Sequence, residues 1–487
     1  MVYDCLIVGG GATGLYCALN LNPGFKVLII SKSELNLSNS SLAQGGIAAV
    51  LDRETDDFSS HIEDTLRAGG DKNDLQSVEM VVEEAPCNVT ELLHFGVEFD
   101  RIADGEFDKT LEGGHSRPRI LHHKDSTGKE IVDKLMLQVK KRKNIEIAEN
   151  TYLSRMISAD GGFAAELFRG NDRREVFAPR CIIATGGIGR IYEYTTNSAI
   201  STGDGIVCAY LLGAKIQNMN LIQFHPTAFA AKPGRERFLI SEALRGEGAR
   251  LLNSKFEQFM QNYDDRGELA PRDVVSKSML KEEKRQKNNL FYLNISHEDS
   301  KKLQARFPMI YENCIKEGVD ITRDNIPVYP CQHYLMGGID VDLNGRTSIE
   351  NLFAAGECSH TGVHGSNRLA SNSLLEAIVY AKKVADYINN DYNPGVKISK
   401  CYFDNPISGG EVGEGYRTNV RAIMQQAFFV IPDMNAVRDG HSRLTEIIED
   451  LESGGYTKNK HFYEVFNLTM TAWLVLDAVM KNKEEHE

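Results

Sequence analysis

A short glycine run near the start of the chain constrains the fold more than any other feature. Gly9-Gly10-Gly11-Ala12-Thr13-Gly14 follows the apolar stretch Cys5-Leu6-Ile7-Val8 and leads into a helical pattern. Strand, tight turn and helix in that order give Gly-x-Gly-x-x-Gly its meaning. The glycines let the backbone turn sharply and approach a pyrophosphate, and the helix N-terminus faces the phosphates. Far along the chain, Asn351-Leu352-Phe353-Ala354-Ala355-Gly356-Glu357 ends a second buried-strand pattern on a glycine and an acid. That strand end would return to the same crevice. One nucleotide-binding unit made from both chain ends makes the middle an insertion, and an insertion beside a nucleotide is where a substrate site is expected.

The rest of the chain fits an α/β protein of several domains. Its 487 residues allow a large buried core. A net charge of −13 excludes a general nucleic-acid or anionic-membrane binder, because both need a basic face. No apolar stretch is long enough for a membrane span, and the N-terminus runs straight into a strand pattern without a basic leader. The nine cysteines are scattered without a Cys-x-x-Cys pair, so neither a zinc nor an iron–sulfur site is expected, and the apolar surroundings suggest reduced, inert thiols. The expectation is a cytoplasmic protein with no metal, no nucleic-acid partner and no membrane partner.

Tyr3–Ile30 reads as strand, glycine turn, helix, strand, and Ser31–Ser41 as a loop that Gln44-Gly45-Gly46 continues. Helical periodicity covers Asp56–Ala68 and Ser77–His94. Arg180-Cys181-Ile182-Ile183-Ala184-Thr185-Gly186-Gly187 is a further buried strand stopped by glycines. From Asn220 to Tyr334 polar loops and helices such as Arg272–Asn288 replace most buried-strand runs. Strands resume at Gly338–Asp342 and Leu352–Ala355, and a helix follows at Ser373–Asn389. After Gly409-Gly410 the chain reads as wholly helical, ending in an amphipathic helix near Glu464–Lys481. The pattern predicts a Rossmann-like nucleotide-binding domain in two parts, residues 1–219 and 335–404. An inserted α+β capping domain (220–334) and a C-terminal helical domain (405–487) complete it.

One expectation of the glycine motif is missing. The second strand ends at Ser31-Lys32, where an acid normally binds ribose. Asp204 and Glu357 are the acids left to hold ribose or ribityl hydroxyls. Four other clusters set cationic or donor side chains beside glycine or proline: Gln223-Phe224-His225-Pro226, Leu269-Ala270-Pro271-Arg272-Asp273, Pro330-Cys331-Gln332-His333-Tyr334 and Gly365-Ser366-Asn367-Arg368. A lone buried histidine is more often structural, and a lone arginine more often a surface ion pair. Two histidines and two arginines together would clamp a dicarboxylate, since the guanidinium fork matches carboxylates bidentately.

These segments, with Ser40–Ala49, Glu112-Gly113-Gly114-His115-Ser116, Ser241–Gly248, Glu268–Asp273 and Asn367–Glu376, resemble the succinate dehydrogenase and fumarate reductase flavoprotein family over nearly the whole chain. The resemblance implies FAD, a capping domain, and hydride transfer from C2 of a dicarboxylate to flavin N5. Within the family it points to oxidation of L-aspartate to iminoaspartate for NAD synthesis, with oxygen or fumarate as acceptor and a quinolinate synthase as partner. The alternative is a soluble fumarate reductase or a succinate dehydrogenase flavoprotein subunit. Relatives that hold FAD covalently do so through a histidine before the Ala-Gln-Gly-Gly segment. Asn39 stands there, so noncovalent FAD is expected.

By the same resemblance, Gly9, Gly10, Gly11, Ala12, Thr13, Gly14, Ser31 and Lys32 hold the cofactor. So do Ser38, Asn39, Ser40, Ser41, Leu42, Ala43, Gln44, Gly45 and Gly46, and later Asp204, Glu357, Ser373 and Leu374. His225, Ser241, His333 and Arg368 bind substrate. Arg272 protonates fumarate or stabilises charge during aspartate oxidation, with Glu242 and Arg245 as a relay. Glu112 recognises the amine, since aspartate differs from succinate by one ammonium group. The family's Arg-Glu-Ser-Arg-Gly-x-His segment is absent after Val479-Met480-Lys481.

Overall fold

The computed structural model describes residues 1–230, 234–391, 393–395, 398, 399, 403 and 409–484. The expected boundary between residues 404 and 405 lies outside them. The centre is a five-stranded parallel sheet in the order Leu352–Ala354, Arg180–Ile183, Cys5–Val8, Val27–Ile30, Ile145–Ala148. The first strand therefore sits in the middle, between Val27–Ile30 and the much later Arg180–Ile183. The crevice beyond its carboxyl end is where such sheets bind ligands.

Alternation along these strands splits the core in two. Leu6, Val8, Leu28, Ile30, Cys181 and Ile183 face a cluster that includes Val420, Leu444 and Val475 of the C-terminal helices. Cys5, Ile7, Val27, Ile29 and Ile182 face the other way, against Leu15, Val89, Leu135 and Ile378 from four helices. A three-stranded antiparallel sheet (Thr151–Ala159, Gly162–Arg169, Asp172–Ala178) packs into the first cluster; the sequence patterns do not single it out.

The middle segment has its own core, built from residues between Phe229 and Val328. Its antiparallel sheet runs Ile222–Phe229, Ile326–Leu335, Phe291–Asn294, Arg250–Leu252, with more strand than the polar composition suggests. Helices begin where side chains cap them: Asp57 accepts from Ser60 N ahead of Phe58–Ala68, and Asp74 from Ser77 N ahead of Leu75–His94.

The C-terminal segment departs from the expected continuous helix pattern. A small hairpin, Phe428–Phe429 with Ile431–Pro432, interrupts Gly415–Ala427 and Met434–Ser453. Its aromatic rings explain the break: Phe429 lies 5.4 Å from the Phe224 ring and stacks on Tyr329 at 6.0 Å. Among the described residues no helix is long and apolar enough to cross a membrane.

Candidate active site

One cavity of about 430 Å³ runs from the glycine turn to the sheet of the middle segment. At the glycine end the wall is backbone. Gly9 has φ +125°, and a Cβ there would stand 2.0 Å from Ala184 O, so no other residue fits. Gly14 serves packing instead of lining: its Cβ position is 2.0 Å from Gly9 O, which lets helix and strand touch. Gly9, Gly10, Gly11, Thr13, Ser38, Asn39, Ser40, Leu42 and Ala43 line the cavity, followed by Gln44, Gly45, Gly46, Glu357, Ser373 and Leu374. Ala12, Gly14 and Ser41 are not among the lining residues. Ala12 is fully buried and gives its N–H to Ser40 Oγ, while the Ser41 hydroxyl pairs with Ser38 Oγ at 3.0 Å.

An acid from elsewhere in the chain stands beside the end of the second strand. Lys32 Nζ donates to Asp204 Oδ2 at 2.9 Å and to Thr202 Oγ1 at 2.8 Å, and lies 3.2 Å from Glu464 Oε1. Ser31, Lys32 and Asp204 all line the cavity, so a lysine–aspartate pair stands where a lone carboxylate was expected. Glu357 accepts from Leu335 N at 3.1 Å, and burial pushes its carboxyl up to about 7.

At the other end the wall is side chains, delivered by irregular strands. Register shifts at Gln223/Phe224 and between His225 and Ala228 mark bulges in the pairing of Ile222–Phe229 with Ile326–Leu335. Pro226 cannot join a regular ladder, and bulges re-aim side chains. The His225 and His333 rings consequently meet at 5.0 Å. His333 Nδ1 pairs with Thr196 Oγ1 at 2.7 Å, and His225 Nε2 is buried with no partner among the described residues. Burial first, then the nearby Arg272, holds both imidazoles well below the usual histidine range, so they are neutral.

Arg368 lies 4.3 Å over the Tyr334 ring and donates to Ser373 Oγ at 2.9 Å, with its Nε buried and unpaired among the described residues. Burial, then Arg272, brings it down to about 10. Arg272 donates from Nε to Glu242 Oε2 at 2.6 Å and from Nη1 to Gln223 Oε1 at 3.0 Å. Glu242 Oε1 stands 3.0 Å from Arg245 Nη2, one turn along the short helix Glu242–Gly246. Burial alone would raise the Glu242 carboxyl, but Arg245 and Arg272 outweigh it and hold it below the usual range. Arg245 sits behind the cavity wall, fixed by Glu268 O at 2.6 Å. Ser241 lines the wall and caps that helix through Ala243 N.

Glu112 opens into the same cavity with the opposite character. Burial raises its carboxyl, offset in part by a hydrogen bond from Ser371 Oγ at 2.6 Å. The sequence motifs include Gln223, Tyr334 and Ser371 without assigning them a role. Only their contacts, to Arg272, Arg368 and Glu112, reveal them.

A glycine-cradled dinucleotide site joined to a pocket of buried arginines and neutral histidines defines a flavoprotein oxidoreductase acting on a small anionic substrate. The close-packed glycine turn, and Gln44 Oε1 buried with no hydrogen-bond partner among the described residues, fit a cofactor that approaches backbone closely and donates along this wall. Residues 4–374 match the FAD binding domain family. The L-aspartate oxidase of Clostridium perfringens is 47% identical over 80% of this chain and 87% of its own length. That of Yersinia pestis is 37% identical over 99% and 94% respectively. Among solved structures, a quinol–fumarate reductase with menaquinol molecules superposes with TM-score 0.88 at 28% identity, covering 99% of this chain and 91% of the other. The chain belongs to the L-aspartate oxidase family, within the succinate dehydrogenase and fumarate reductase flavoproteins, and its cofactor is FAD.

Proposed function

We propose that the protein oxidises L-aspartate to iminoaspartate, the first step of NAD biosynthesis through quinolinate. The observation that carries this reading is Glu112: a buried carboxylate facing the same cavity as Arg272, Arg368, His225 and His333. A pocket made only for succinate or fumarate has no use for an acid there, whereas an ammonium group does. FAD, when bound, would supply the hydride acceptor for the hydrogen on aspartate C2, with oxygen (giving hydrogen peroxide) or fumarate as the final electron acceptor.

The protein's own part is orientation. Arg368, packed over the Tyr334 ring, binds one carboxylate in its fork. His225 and His333, being neutral, donate single hydrogen bonds without adding charge. Ser241 adds a hydroxyl. Arg272 is fixed on two sides by Glu242 and Gln223, which aims its remaining N–H groups into the cavity. In the fumarate direction Arg272 delivers a proton and recovers one through Glu242 and Arg245; in aspartate oxidation it stabilises charge. Asn39 has no nucleophilic ring nitrogen and accepts from Ser198 N at 2.9 Å, which supports noncovalent FAD. The same reading places the protein in the cytoplasm, with a quinolinate synthase consuming the unstable imine.

Anaerobic bleaching of the flavin tests this. L-Aspartate should bleach it rapidly and succinate should not. Bleaching by succinate alone would make the protein a dicarboxylate dehydrogenase and Glu112 a structural acid.

A further inference from the structure

Ser371 is a serine in a conformation that suits glycine. Its φ is +60°, immediately before the helix Asn372–Asn390, and its hydroxyl does not cap that helix. For a residue with a Cβ this backbone is strained, and glycine would relieve it. The hydroxyl therefore has another use, and the contacts show what it is. It accepts from Gly46 N at 3.1 Å and lies 2.6 Å from Glu112 Oε2. Gly46 N–H is itself a donor, so the single hydroxyl proton can go only to Glu112. The serine carbonyl is also engaged, by Ala48 N at 3.2 Å. Nearby, His115 of the Glu-Gly-Gly-His turn bonds Ala370 O at 2.9 Å, tying the two segments together a second time.

The two oxygens of Glu112 thus differ. Oε2 is held by Ser371, and among the described residues no hydrogen bond reaches Oε1. A Cβ on Gly45 would stand 3.1 Å from Oε1, so glycine keeps the space beside that oxygen clear. We propose that Ser371 is the positioning residue that makes Glu112 selective for an ammonium group, by occupying one carboxylate oxygen and turning the other to the substrate. The inference rests on the aspartate reading above and makes the discrimination by Glu112 depend on the serine that holds it. A carboxylate free to rotate would offer the ammonium no fixed acceptor and would take a proton more readily. Three charged groups bear on it from the surrounding elements: Glu242 favours its protonated form, Arg272 and Arg306 its ionised form.

The test uses the FAD-loaded full chain as Ser371→Ala and Ser371→Gly, the second of which relaxes the strained φ and separates lost hydroxyl from lost folding. For each, KM for L-aspartate is measured beside the competitive Ki of succinate, which lacks the ammonium. Losing a hydrogen bond to a charged group predicts about a tenfold rise in KM for aspartate in both variants. The succinate constant should move less than about twofold, and the acid limb of kcat/KM for aspartate should shift to higher pH. Aspartate and succinate constants moving together, or neither moving, would overturn the proposal. If wild-type protein itself does not distinguish the two ligands, the aspartate reading falls and this with it. If wild type distinguishes them and both variants do so equally well, only the role of Ser371 falls.

Discussion

At the dinucleotide end of the cavity the wall is peptide backbone, and at the substrate end it is side chains carried by a bulged antiparallel sheet and four other segments. The first end tolerates no added atom at Gly9, because the chain itself closes to within 2.0 Å of where a methyl would stand. The second end depends on charge balance: Glu242 and Glu112 lie in one cavity, yet arginines pull the first carboxyl down while burial pushes the second up. Shape governs one end and compensation the other. Substitutions at the two ends should therefore fail in different ways.

The most severe failure belongs to the backbone end. Gly9→Ala must both adopt φ +125° and displace Ala184 O. A cost above about 2 kcal/mol is expected, with protein recovered flavin-free or misfolded, as flavin absorbance per chain would show. At the substrate end Glu242→Gln should keep its flavin and lose turnover, by about 100- to 1000-fold in kcat, because it leaves Arg272 and Arg245 buried against each other. Equal loss of flavin in both variants would erase the distinction between the ends. Lys32→Met sharpens it from the other side. Removing the cation between Asp204 and Glu464 should weaken FAD by about tenfold in a titration and leave kcat of the saturated enzyme unchanged.

A smaller effect comes from pH. The ionised form of Glu112 pairs with the ammonium, so activity on aspartate is lost as pH falls through its pKa. Burial raises that pKa, which puts the acid limb of kcat/KM above the ordinary glutamate value of 4.5. Binding of succinate should lack this limb.

The backbone end was largely legible in the sequence, because a requirement for φ > 0 or for close approach admits only glycine and leaves a motif. The substrate end was legible as residue types. His225, Arg272, His333 and Arg368 stood out as clusters, yet nothing in their spacing fixes where a bulge will aim a side chain. Three features were hidden for definite reasons. Asp204 was named as a candidate acid, but its pairing with Lys32 spans 172 residues of sequence and left no local signal. Ser371 is an ordinary residue whose left-handed backbone no sequence displays. The hairpin at Phe428–Pro432 follows from aromatic contacts to Phe224 and Tyr329, which belong to a distant sheet and override local helix preference.

The central claim is that charge at one carboxylate decides between an amino-dicarboxylate and a plain one. Its most direct test is Glu112→Gln, which keeps shape and removes charge, assayed by anaerobic flavin reduction with L-aspartate and by binding of succinate. The account predicts that reduction by aspartate falls by about 100-fold or more while succinate binds at least as tightly as to wild type. Reduction by aspartate at the wild-type rate, or parallel loss of both ligands, would contradict it.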